Sequence, residues 1–427
     1  MTRSTIPTCG FLFVAVLSAA LANVSAHNDP QGRSSGTVVY QAWSEKQSTV
    51  VPELRQLGMQ PPVAAAAGQF PGPGEAPDFQ EGRRLFERET FGGNGRTCST
   101  CHGKDTGTVS PRDAQRRFTS DPDDPLFVHD GSDDGAGNGV TRMLESATIL
   151  MSIPLHPNVT LLDDPQATHV TVRRGIPTTL NTPALDPILM LDGRQQSLQS
   201  QALGAITDHA QGTGVSPAQL DLIAKFQKSN RFFTSPALEA FSRGGPPPTL
   251  PAGNTPSEKR GRHFFEDVAP DPSAGFKPGL CSHCHSGPLL NQTNEFADDF
   301  IFPFPIPAGQ RFLSVGVSEI NRAQNPVRVF VFNAGTPQEV RIPSPDLGRA
   351  MVTGVLDDPT LEHINAFKIL PLRGIRHTAP YFHDNSARTL EEVASHYAEF
   401  FAFVSGGLIV LTPDDQKDIV AFLKLLD

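Results

Sequence analysis

The sequence predicts a mainly α protein made of two tandem helical domains, with loop-rich insertions and little β structure. Three observations predict it. Two distant segments open alike, Gly82-Arg83-Arg84-Leu85-Phe86-Glu87 and Gly261-Arg262-His263-Phe264-Phe265-Glu266. Two later segments close alike: Ser216-Pro217 precedes Leu220, Ile223 and Phe226, and Thr412-Pro413 precedes Ile419, Phe422, Leu423 and Leu426. Ser or Thr at an N-cap with Pro following it starts a helix, and the apolar spacing behind it marks one buried face. Finally, a Pro/Gly stretch from Gly244 to Pro256 separates the two halves.

In chain order, Arg3, the apolar run Phe11 to Ala22 and the small residues Val24-Ser25-Ala26 read as a secretory signal peptide over residues 1–26. The competing reading is a membrane anchor, but the run is short for a spanning helix. Phe400 to Leu411 is also apolar, short and broken by Gly406-Gly407, so no membrane span is expected in the mature chain. The predicted location is the periplasm. Residues 27–77 form a Pro/Ala/Gly-rich leader, residues 78–245 the first domain and residues 256–427 the second. Gly103 to His169 is an acidic insertion whose Asp133-Asp134-Gly135-Ala136-Gly137-Asn138-Gly139 turn reads either as a solvated loop or as a calcium site. Phe300 to Ile342 is rich in Phe, Val and Pro, and Val327 to Phe332 alternates like a strand or hairpin arm. The net charge of −10 excludes nucleic acid as a natural partner and favours a basic or small neutral one.

Cysteine usage carries the chemistry. Of five cysteines, Cys9 leaves with the signal peptide. The other four stand in Cys98-Ser99-Thr100-Cys101-His102 and Cys281-Ser282-His283-Cys284-His285. C-x-x-C-H is the haem c attachment signature: two thiols on one helical turn reach the two vinyl groups, and the next histidine faces the iron. Two disulfides, a four-thiolate zinc site or a thioredoxin-like pair would each leave the paired histidines unexplained. The cofactors predicted are therefore two haem c groups, with Cys98, Cys101, Cys281 and Cys284 as attachment points and His102 and His285 as proximal ligands. Each half then reads as helix, haem loop, insertion and closing helix, the plan of a small cytochrome c domain.

Residues 78 to 427 resemble the bacterial di-haem cytochrome c peroxidases and their relatives, the enzymes that mature methylamine dehydrogenase and the rubber oxygenases. Beyond the haem motifs, the resemblance rests on Ile176-Pro177-Thr178-Thr179-Leu180-Asn181-Thr182-Pro183-Ala184, Asp192-Gly193-Arg194 and Leu198-Gln199-Ser200-Gln201-Ala202-Leu203-Gly204. It continues in Pro371-Leu372-Arg373-Gly374, in Thr378-Ala379-Pro380-Tyr381-Phe382-His383-Asp384 and in Thr389-Leu390-Glu391-Glu392-Val393. The resemblance implies an enzyme in which peroxide or oxygen reacts at the N-terminal haem while the C-terminal haem accepts electrons. It implies hydrogen peroxide as substrate and a small soluble donor, such as a cytochrome c or a cupredoxin, as partner. An oxidase or oxygenase acting on an organic or protein substrate is the alternative, and a plain electron carrier is the third reading.

Several positions depart from the peroxidase pattern. Gln201 resembles a glutamine of the reacting pocket, but Gln211 takes the place of the family's acid–base glutamate. An amide carries no proton, so His209 or Asp208 would have to do so. The tryptophan that the peroxidases place before Asp-Gly-Arg is Leu191 here, and the one tryptophan, Trp43, lies in the leader. Tyr397 aligns with the axial methionine of the second haem, with His396 as the rival ligand. A phenolate is a harder donor than a thioether and favours ferric or higher-valent iron. His169 lies near the position of a removable distal histidine of the first haem. Thr378 and Pro380 match positions beside the interdomain calcium, while the asparagine partner falls on Gly175.

Overall fold

The computed structural model describes residues 77–266, 279, 281–291, 293, 312–320, 325–357 and 362–427. The signal peptide, the leader up to residue 76 with Trp43, and parts of the Phe300 to Ile342 segment lie outside the described residues. The structure is mainly α with short strands. Among the described residues, no helix is long and apolar enough to cross a membrane.

The repeated sequence segments become repeated helix pairs. In the first half, α1 (Pro77–Arg88), α2 (Leu198–Gly204) and α3 (Pro217–Gln227) pack together. In the second half, α4 (Pro256–Glu266), α5 (Leu390–Val404) and α6 (Pro413–Leu423) do the same. Ser216 and Thr412 accept hydrogen bonds from the backbone N–H groups of Gln219 and Asp415, closing capping boxes with Pro in the first turn, as the sequence predicts. Gly82 of α1 lies against the Leu222 carbonyl and Phe226 of α3, and Gly261 of α4 lies against the Asp418 carbonyl and Phe422 of α6. A side chain at either glycine would drive its helix pair apart. Each crossing is filled by rings: Phe86 meets Phe226 at 5.4 Å and Phe232 at 5.5 Å, and Phe265 meets Phe422 at 5.4 Å.

The insertions hold more order than a loop-rich reading expects. β1 (Thr148–Pro154) pairs antiparallel with β3 (His169–Gly175). β2 (Val159–Leu161) joins the second half's β5 (Arg328–Phe332), which pairs with β6 (Val340–Ser344). Two shorter strands, β4 (Phe312–Leu313) and β7 (Phe367–Lys368), also pair. The hairpin arm read at Val327 to Phe332 is thus β5. Ile149, Met151, Ile153, Val170 and Val172 from the first half share one core with Phe330, Phe332 and Met351 from the second. That shared core needs residues more than a hundred positions apart, so neither insertion displays it alone.

A buried charge cluster ties this body together. Arg174 on β3 bonds Asp192 at 2.6 Å and Asp346 at 2.8 and 2.9 Å, and its guanidinium lies 5.4 Å from the Phe367 ring centre. Burial opposes the charge on both carboxyls, yet Arg174 outweighs it and holds them below the usual carboxylate range.

Candidate haem sites

The first motif forms a single helical turn, Cys98–Cys101, closed by the His102 N–H donating to the Cys98 carbonyl at 2.9 Å. The His102 Nδ1–H donates to the Gly107 carbonyl at 2.8 Å, which leaves Nε2 as the free ring nitrogen. Burial pushes the His102 pKa down, with the Gly107 carbonyl opposing, so the ring stays neutral as a ligand must. Cys98, Cys101 and His102 open onto a cavity of about 1470 Å³, counting space open to solvent. Ile149, Met151, Ile176, Leu189, Met190 and Leu198 are among its apolar walls. The buried Thr179 hydroxyl, also in the wall, has no hydrogen-bond partner among the described residues. A roomy apolar cavity, two thiols outside any disulfide, a histidine with one committed nitrogen and an orphaned hydroxyl fit a covalently held haem. Burial pushes the Cys98 and Cys284 thiols up to about 12.

Gln201 and His209 reach the same cavity, on one face of the helix that runs on from α2. That helix ends in a π-helical turn, Ala205–His209, sealed by the Ala210 N–H bonding the Ala205 carbonyl at 3.1 Å. The His209 Nδ1–H donates to Asp130 Oδ2 at 2.5 Å. Asp130 is in turn bonded by the Nη1 of the buried Arg96, whose remaining donors reach the carbonyls of Pro125 at 2.8 Å, Leu126 at 3.0 Å and Val128 at 2.6 Å. Burial acts to raise the Asp130 pKa, but the His209 bond and the Arg96 charge prevail and hold it low.

Other first-site expectations fall elsewhere. Gln211 takes a left-handed backbone (φ 55°) past the π turn and is exposed. Its Oε1 accepts from Asn94 Nδ2 at 3.3 Å, and it is not among the cavity's lining residues. The turn that ends the helix therefore separates Gln211 from the site it was expected to share. Asp208 is exposed as well. His169 begins β3, exposed, with Thr168 Oγ1 2.9 Å from its Nδ1, and it too is absent from the cavity wall.

The second motif repeats the proximal geometry of the first. Cys281–Cys284 makes one turn, and the His285 Nδ1–H donates to the Leu290 carbonyl at 3.0 Å. Burial pushes the His285 pKa to about 4, against the Leu290 and Leu370 carbonyls. Tyr397 of α5 is near this cysteine pair: burial, with Cys284 and Cys281 adding to it, pushes its phenol pKa up. Its ring packs 5.6 Å from Phe401 and 6.2 Å from Phe382. No hydrogen bond to the Tyr397 hydroxyl forms among the described residues, whereas the Tyr381 hydroxyl donates to the Ile375 carbonyl at 3.0 Å. The rival, His396, spends its Nε2–H on the Val315 carbonyl at 2.8 Å.

No family model matches the sequence. Over 155 residues the chain is 30% identical to cytochrome c551 peroxidase of Nitrosomonas europaea, covering 35% of this chain and 31% of that protein. The chain resembles the bacterial di-haem cytochrome c peroxidases. Among solved structures it is similar to a MauG-like protein associated with microbial copper homeostasis (23% identity, 84% of this chain, 90% of that chain, TM-score 0.47). It is also similar to the diheme peroxidase BthA from Burkholderia thailandensis (17% identity, 85% and 88% coverage, TM-score 0.47).

Leu191 lies in the first cavity's wall, and the Lys368 N–H bonds its carbonyl at 2.8 Å. Nearby, Phe367 and His383 stack with centroids 3.7 Å apart. At the calcium positions, Gly175 lies against the Asn385 side chain, whose Nδ2 donates to the Ser146 and Ala147 carbonyls at 2.9 and 3.1 Å. In the acidic turn, Asp134 accepts from the N–H groups of Ala136 and Asn138, and Asp133 from those of Thr141 and Arg142, so both carboxylates order their own loop. Among the described residues, no group of three or more His, Cys, Asp and Glu gathers as a metal site. Sequence reasoning missed Asp130 and Arg96. Their signal is weak, because Asp130 lies in an acidic run and Arg96 simply precedes the motif.

Proposed function

We propose that the chain is an exported, periplasmic di-haem c-type oxidoreductase that reduces hydrogen peroxide at haem 1 with electrons passed through haem 2. Residues 78–245 and 256–427 act as two cytochrome c-like domains, one per haem. The observation that carries this reading is the meeting of His102, Gln201 and His209 in one cavity beside the first cysteine pair. The haems would be held by Cys98, Cys101 and His102 in one half and by Cys281, Cys284 and His285 in the other, and they supply the redox-active iron. Peroxide reduction takes two electrons and two protons and yields two waters. His209 Nε2 takes the proton of the oxygen nearer the iron and returns it to the departing oxygen, while the Gln201 amide orients the peroxide. The electron donor is a small soluble protein, such as a cytochrome c or a cupredoxin.

One observation favours a second reading, an oxidase acting on an organic or protein substrate. Tyr397 brings a phenol without a hydrogen-bond partner among the described residues to the second cysteine pair, and such a ligand favours high-valent iron over electron storage. Peroxide turnover with a reduced cytochrome c decides between the two. The peroxidase reading expects steady oxidation of the donor, falling on the order of 100-fold in His209→Ala. Activity that is absent in the wild type, or unchanged in the variant, rejects it.

A further inference from the structure

The loop that carries Asp130 is built as a clamp. Arg96 seals it from the haem-motif side, donating to the carbonyls of Pro125, Leu126 and Val128 as well as to the Asp130 carboxylate and the His209 carbonyl. Arg142 seals it from the far side, donating to the carbonyls of Asp130 at 2.9 Å and Ser132. Gly131 packs so closely on the Leu126 carbonyl and the Arg96 guanidinium that no side chain fits there. The outcome is one carboxylate, 3% exposed, with Oδ1 on Arg96 and Oδ2 on His209 Nδ1. His129 Nδ1 stands 3.9 Å from the same Oδ2, outside hydrogen-bond reach.

We infer that Asp130 is the positioning residue of the first haem site, fixing His209 with Nδ1 protonated and Nε2 presented to the cavity as the proton acceptor. The inference rests on the reading of His209 as the acid–base group. A neutral imidazole has one donor and one acceptor nitrogen, and its hydrogen bonds choose which. An ionised carboxylate accepts only, so it selects the Nδ1–H tautomer. The same bond locks the ring's rotation, and Arg96 keeps the carboxylate from turning. The acidic insertion thus serves the site directly, through a residue just ahead of the turn that in sequence reads as a solvated loop or a calcium site.

Cyanide association with the oxidised, haem-loaded protein tests this without turnover. Hydrogen cyanide must give up its proton as cyanide binds at haem 1, so a distal base speeds association. His209→Gln should slow it on the order of 100-fold, and Asp130→Asn about tenfold, as loss of an orienting partner does. The double variant should be no slower than His209→Gln alone, because Asp130 acts only through His209. Additive losses would overturn the inference, as would wild-type association in Asp130→Asn when His209→Gln is slow. Unchanged association in His209→Gln would remove the base itself, and the inference with it. Should Asp130→Asn fail to fold, Asp130→Glu keeps the charge but displaces it. It should be a few-fold slower, and a wild-type rate would count against the clamp.

Discussion

The two haem sites share a proximal side and differ on the side facing it. In both, a single turn carries two thiols, and the histidine that follows gives its Nδ1–H to a carbonyl five residues on, Gly107 in one and Leu290 in the other. The first cavity also takes in a histidine tethered to a buried carboxylate, whereas the second cysteine pair has Tyr397 nearby, among Phe382, Phe400 and Phe401. The proximal parts lie within ten residues, Cys98 to Gly107 and Cys281 to Leu290, so a repeat copies them together. The distal parts come from separate segments and are free to diverge. On the proposed reading, that difference would divide the labour between a reacting site and one that supplies or holds electrons.

The largest expected effect bears on the buried charge cluster in which Arg174 bonds Asp192 and Asp346. Arg174→Met would leave Asp346 buried without its cation and Asp192 with Arg194 alone, a loss of about 3 to 5 kcal/mol in denaturant unfolding. Both carboxyls have folded-state pKa values below their unfolded ones, so the stability they contribute is present above the unfolded value and is lost as pH falls through the lowered one. The gap between variant and wild type should therefore narrow toward acid pH. A constant gap would place the effect in packing instead of charge.

A smaller effect breaks the proximal symmetry alone. Replacing Cys98 and Cys101 with Ser should reduce the covalent haem count from two to one, read by a haemochrome assay after acid-acetone extraction. Two haems remaining on the chain would contradict the attachment. Tyr397→Phe should alter the ferric spectrum of haem 2 while His396→Ala leaves it unchanged, since His396 is already committed to Val315. The reverse pattern would make His396 the ligand. The smallest effect is Gln211→Glu, which should keep turnover within about twofold because the side chain faces Asn94, not the cavity.

What was legible in the sequence follows the same division. Ser216-Pro217 and Thr412-Pro413 announce helix starts because capping is decided within four residues. The CxxCH turns are equally local, and Tyr397 is singled out only by its alignment with the axial methionine of the resembling family. His209 was singled out because an amide cannot carry protons, and the cavity contains it. The Asp130–Arg96 clamp and the core shared by the two insertions join residues far apart in sequence, with no periodic pattern to betray them. Gln211 was misplaced because a π turn followed by a left-handed residue changes the direction of the chain between His209 and Gln211. His169, for which the sequence leaves a surface role open beside iron ligation, begins a strand whose inward positions are Val170 and Val172.

The most direct test of a reacting haem 1 and a tyrosine-bearing haem 2 is the electron paramagnetic resonance spectrum of the oxidised protein. The account predicts a high-spin ferric signal from haem 1, with His102 its only side-chain ligand, and that signal should persist in Tyr397→Phe. Two low-spin irons, with His209, Met151 or Met190 filling the sixth position of haem 1, would contradict it and make the chain an electron carrier.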